Sequence, residues 1–149
     1  MDYEKSAVEL LEKMHELHKA KPHKQINEAL QGEAFILHYI AVSKKSVLPG
    51  DIGLEMNVSS ARVAAALNSL ENKRLITRRI DPNDRRKIIV EITPEGKDFA
   101  EKHYQTVITG VSKLLYLLGE NDAKEYVRIL GRVTEIMPDL WLDWQNNCL

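Results

Sequence analysis

Apolar positions repeat at helical spacing through most of this chain and switch to strand spacing once, just past its middle. Val8, Leu11, Met14 and Leu17 recur with Glu and Lys between them and predict an amphipathic helix over residues 4–20. Ala20-Lys21-Pro22-His23-Lys24 is read as the break that ends it. Residues 33–43 carry Phe35, Ile36, Leu37, Tyr39, Ile40 and Val42, apolar almost all round, as expected of a short central helix. Pro49 suits a helical first turn, with Asp51 at the favourable positive end of the dipole. Ile52 and Met56 share one face, and Asn57 then tolerates a left-handed turn. Ser59 is the expected N-cap of the next helix, which runs to about Lys73. That helix buries Val63, Leu67 and Leu70, with Val58 stapling its start.

The period then falls to two. Ile76, Arg78 and Ile80 alternate with Thr77 and Arg79, and Ile88, Val90 and Ile92 with Ile89 and Glu91. Asp81-Pro82-Asn83 between them is turn chemistry, so the segment predicts a β-hairpin with a charged tip. Thr93-Pro94-Glu95 opens another helix, whose stripe Phe99, His103, Val107, Val111, Leu114 and Leu118 is ended by Gly119. A last helix is expected over about 121–137, stopped by Pro138, with the tail Leu140–Trp144 too apolar to lie loose in water. The expected class is mainly α with a small β-hairpin wing (α+β). A winged helix-turn-helix lobe over about 31–92 joins a helical lobe from about 1–30 and 93–149. The outer stripes are too long for a chain of 149 residues to bury alone, so a shared homodimer core is expected.

Composition narrows the function. A hydrophobic fraction of 44% suits a globular chain, no apolar run is long enough to span a membrane, and the first residues do not resemble a signal peptide. A lone cysteine, Cys148, excludes an internal disulfide framework and fits a cytoplasmic protein. The net charge of −1 conceals a division: residues 1–58 carry −2, residues 59–90 carry +5 from eight basic and three acidic side chains, and residues 91–149 carry −4. The basic block coincides with the helix-turn-helix and hairpin.

That coincidence points to double-stranded DNA. A helix fits the major groove with its N-terminal residues at base edges, and an adjacent hairpin can lay cations along the backbone or in the minor groove. The exposed side of the helix from Ser59 is expected to present Ala61, Arg62, Ala65, Asn68 and Ser69. Arg62 can pair with guanine and Asn68 with adenine, while Ser59 and Ser60 meet phosphate at the helix start. Arg85, Arg86 and Lys87 crown the hairpin, and Asp84 is read as the group that orients a tip arginine.

Asn57-Val58-Ser59, Leu70-Glu71-Asn72-Lys73-Arg74-Leu75-Ile76, Asp81-Pro82-Asn83-Asp84-Arg85-Arg86 and Ile92-Thr93-Pro94-Glu95-Gly96 together resemble the MarR family of transcriptional regulators. The resemblance implies a dimer with intertwined terminal helices and two winged lobes on a pseudo-palindromic operator. It also implies repression relieved by a small aromatic or phenolic effector, with no other cofactor. It matches Asp84 and Arg86 to the family's wing pair, with Arg86 in the minor groove. Two departures stand out: Arg74 occupies a position where relatives carry Gly, and Ala64-Ala65-Ala66 fills a helix centre usually polar or basic.

Other readings are weaker. His15, His18, His23, His38 and His103 do not form a compact metal quartet, so no metal is expected. Cys148 lacks the local cation or helix start that would activate it. Phe35, Tyr39, Phe99, His103 and Tyr104 are explained by core packing as well as by a ligand pocket. A winged-helix protein-interaction module that does not bind DNA is the alternative. The absence of a Gly-rich phosphate loop, a localisable carboxylate pair or a nucleophile triad argues against an enzyme.

Overall fold

A computed structural model describes residues 1–147; Cys148 lies outside them. The fold is mostly helical with one two-stranded antiparallel hairpin, in two compact units, Met1–Ile108 and the chain from Thr109 on.

In the first unit, α1 (Tyr3–Lys19) is capped by Asp2, whose carboxylate accepts the Lys5 amide at 3.1 Å. The expected break after it is a joint of one residue. Ala20 is extended, and α2 (Lys21–Gln31) starts at once, with Pro22 in its first turn, where a missing N–H costs nothing. α3 (Glu33–Val42) buries Ala34, Ile36, Leu37 and Ile40, but Val42 faces solvent. α4 (Pro49–Met56) is held at its start by Asp51, which accepts the Leu48 amide at 2.9 Å. Asn57 adopts φ 52° and turns the chain into α5 (Ser60–Asn72), where Ser59 Oγ accepts the Arg62 amide at 3.3 Å.

Arg74 ends α5 in the left-handed region, with φ 61°. Its amide reaches the Glu71 carbonyl at 2.9 Å and that of Leu75 the Leu70 carbonyl at 3.0 Å, the paired bonds of a Schellman motif. A non-glycine residue there costs about 1 kcal/mol through its Cβ. Arg74→Gly is therefore expected to stabilise the fold by about 0.5 kcal/mol, the remainder being offset by the freer unfolded chain. Urea unfolding checks this, and a lower midpoint would contradict it.

β1 (Ile76–Ile80) pairs with β2 (Ile88–Ile92) in a register running from Ile76 opposite Ile92 to Ile80 opposite Ile88. Two features depart from simple alternation. Ile89 is buried along with Val90, so β2 buries an apolar side chain on each face. Val90 also donates to the Val47 carbonyl at 2.9 Å, which adds a single-residue bridge on its free edge. Thr93 caps α6 (Pro94–Leu118): its hydroxyl accepts the Gly96 amide at 3.0 Å and donates to the Arg74 carbonyl at 2.8 Å. The core joins Ile36, Leu37, Ile40, Val47, Ile52, Val63, Leu67, Leu70, Ile76, Val90 and Ala100. Through it α3 packs on β2, α5 on β1 and α4 on α5.

In the second unit Gly119, at φ 83°, ends α6 as expected. α7 (Glu120–Asn147) instead runs through Pro138. One proline removes a single backbone bond. The helical stripe of Met137, Leu140, Trp141 and Trp144 continues across it, so the period outweighs the breaker. Trp141 and Trp144 are more than half exposed. No described helix is long and apolar enough to cross a membrane.

Candidate nucleic-acid interface

α5 turns about 100° per residue, so Val63, Leu67 and Leu70 on the core side leave Ala61, Ala65, Asn68 and Asn72 facing outward. All four are exposed. Arg62 stands on one flank, where it lines a recess with Glu28, Gly32 and Met56 at the α2–α3 joint. Ser69 lies on the same flank, half-buried, near the Glu33 carboxyl of α3. The other flank, Ser60 and Ala64, shares a cleft with Pro49 of α4 and with Arg78 and Ile88 of the hairpin. Arg86 and Lys87 border the start of α4 at Leu48 and Pro49. Cations therefore stand on both flanks of α5, with small and amide side chains between them.

Ion pairs divide the basic block. Lys73 Nζ donates to Glu33 at 2.6 Å. Burial raises the Glu33 carboxyl, but hydrogen bonds from Lys73 and Ser69 and the Lys73 charge outweigh it and hold the group below its ordinary value. A depressed folded-state value means that this contribution is present at neutral pH and is lost as pH falls through that value. Arg78 donates through Nε to Glu71 at 3.0 Å and through Nη2 both to Glu71 and, at 2.9 Å, to Asn68 Oδ1. The bond from Arg78 holds the Glu71 carboxyl below its usual range. Arg79 pairs with Glu91 across the hairpin at 2.9 Å. Among the described residues Arg62, Arg74, Arg85 and Arg86 have no acidic partner, and all four are exposed. These are the cations free to meet an anion.

The hairpin tip is built by its acids. Asp81 Oδ1 accepts the Asn83 amide at 2.8 Å, and Asp84 Oδ1 accepts the Arg86 amide at 3.1 Å. Asp84 also approaches Lys87 Nζ at 3.9 Å. Asp84 thus orients Arg86 through its backbone, and its side-chain partner is Lys87, not an arginine. Sequence alone does not reveal the Arg78–Asn68 link, because it joins residues ten apart through the strand register; an inward-facing charge on β1 is its sequence signal.

The MarR family model matches residues 30–87, which span α3, α4, α5, β1 and the hairpin tip. Over this stretch the chain is similar to the MarR family. Over 87 residues it is 26% identical to the HTH-type transcriptional repressor YetL of Bacillus subtilis (strain 168), an alignment covering 58% of this chain and 52% of that protein. The aligned part thus spans about half the length of that curated relative. The likeness in fold extends further. Streptococcus pneumoniae FabT in complex with DNA superposes with a TM-score of 0.69 at 20% identity, covering 93% of this chain and 99% of that one. The S. aureus MepR–DNA complex gives 0.68 at 19% identity, covering 89% and 96%. YetL is a transcriptional repressor and MepR a transcription regulator.

Proposed function

We propose that this chain is a sequence-specific double-stranded DNA-binding regulator, a repressor acting as a homodimer on a pseudo-palindromic operator. The observation that carries the proposal is the unpaired arginines, Arg62 on one flank of α5 and Arg86 on the hairpin beside the other, with an exposed face of small and amide residues between them. Such a face seats in a major groove while the flanking cations meet phosphate and minor groove. Ser59, Ser60, Arg62, Ala65, Asn68, Arg85, Arg86 and Lys87 remain the proposed contacts, with half-buried Ser69 at their edge. DNA-bound FabT and MepR support the reading by their likeness in fold. The half-exposed apolar residues Leu10, Leu11, Met14, Leu130, Trp141 and Trp144 support the dimer.

Relief by a small aromatic or phenolic effector belongs to the same proposal. It is supported by the His38–Tyr104 stack, with centroids 4.5 Å apart, and by Phe99, which is 47% exposed where core packing was expected. The reading puts the chain in the cytoplasm, with operator DNA.

Fluorescence anisotropy on a duplex from the protein's own promoter tests the DNA reading. With four free arginines per chain in a dimer, log affinity is expected to fall against log salt with a slope of roughly −4 to −8. A slope shallower than about −2, or no binding at low salt, would overturn it.

A further inference from the structure

We propose that Arg78 is a positioning residue that fixes the amide of Asn68 in one sense, so that α5 presents a hydrogen-bond donor there and reads guanine or thymine rather than adenine. The proposal deepens the DNA-binding reading above and rests on it.

An unrestrained asparagine can match adenine by donating to N7 while accepting from the N6 amino group. Asn68 is not unrestrained. Its Oδ1 accepts from Arg78 Nη2 at 2.9 Å. A guanidinium has five donors and no acceptor, so only the oxygen of the amide can face it. Arg78 is in turn held by Glu71, one helical turn beyond Asn68, to which both Nε and Nη2 donate. The hairpin sets the geometry: Arg78 lies two residues from buried Ile76, on the same strand face, and is paired in register with Val90. Its side chain is only 28% exposed, while Asn68 is exposed on the outward face beside Ala65 and Asn72.

A second N–H brought to Asn68 Oδ1 would stand against the guanidinium, which disfavours the adenine amino group. What Asn68 offers outward is its NH2, which has no protein acceptor among the described residues. Guanine offers it two adjacent acceptors, N7 and O6, and thymine offers O4; adenine N7 also accepts, but its amino donor stands beside it and is set against the guanidinium, and cytosine presents a donor. A side chain of β1 that never reaches a base thus decides what a side chain of α5 can read.

The test is selection by the full-length protein from a randomised duplex library, followed by anisotropy on single-base variants of the selected site. One position is expected to favour guanine or thymine over adenine and cytosine by about tenfold. Asn68→Ala and Arg78→Ala should both level that position to within about twofold, while the salt slope stays at the wild-type value. Arg78→Lys, which still donates, should retain part of the preference. Arg79→Ala, which loses a pair on the opposite strand face, should leave it intact. Asn68→Asp, which replaces donor with acceptor, should turn it toward cytosine or adenine. An Asn68-dependent preference for adenine, or a preference that survives Arg78→Ala, overturns the proposal alone. A wild-type protein that selects nothing from the library overturns the DNA-binding reading with it.

Discussion

Replacing Gly96 with alanine is expected to destabilise the first unit by at least about 3 kcal/mol, the upper end of what overpacking costs. Gly96 sits in the first turn of α6, where the chain leaves the hairpin. A Cβ there would lie 1.9 Å from the Leu75 carbonyl oxygen and 2.9 Å from Ile92 Cγ1. The obstacle is backbone rather than a flexible side-chain end, and it cannot move freely. The Leu75 carbonyl accepts the Thr93 amide at 3.0 Å, and the Thr93 hydroxyl holds both Gly96 and Arg74. Making room breaks bonds that join α5, β1 and α6. Thermal unfolding should show a midpoint lowered by roughly 10 °C. Gly50→Ala, where the added methyl meets nothing within 4 Å, is the control and should change stability by less than about 0.5 kcal/mol. A Gly96→Ala protein as stable as wild type would mean that the junction is looser than its hydrogen bonds imply.

The second large effect is on DNA. Reversing the wing charges with Arg85→Glu and Arg86→Glu should cut affinity about a hundredfold or more at low salt, since apposed like charges cost several kcal/mol and about 1.4 kcal/mol is tenfold. Stability should hardly change. Both side chains are exposed without acidic partners, and the bond from the Arg86 amide to Asp84 survives the substitution. Anisotropy alongside thermal unfolding separates the two effects. Affinity within about threefold of wild type would remove the wing from the proposed interface.

The helix-turn-helix and hairpin were legible because their punctuation is local. Asp51, Asn57, Ser59 and Thr93 act on backbone groups within a few residues, and a change of period marks β1 without reference to the rest of the chain. Sequence misleads where one residue stands between two elements. Pro22 reads as a breaker from the N-terminal side, yet it is a good first-turn residue for the helix that follows. Pro138 reads as a stop, yet an apolar stripe on both sides keeps α7 continuous. The helical angle alone puts Ser69 and Asn68 on the outer face. The sense of the Asn68 amide depends on Arg78, which only tertiary packing brings near. Val47 had no strand pattern to reveal it, because a one-residue bridge has no period.

The Val47–Val90 bridge has a mechanical consequence. It ties the strand carrying the wing to the loop before α4, while Arg78 ties the wing's other strand to α5. The hairpin is thereby strapped on both edges to the helices it flanks and cannot swing as a free arm. In the proposed complex, the span between groove-seated helix and wing tip behaves as a fixed gauge. The duplex must then adjust its own groove width and bend to match it, and sequences that deform easily gain an advantage at base pairs the protein never touches.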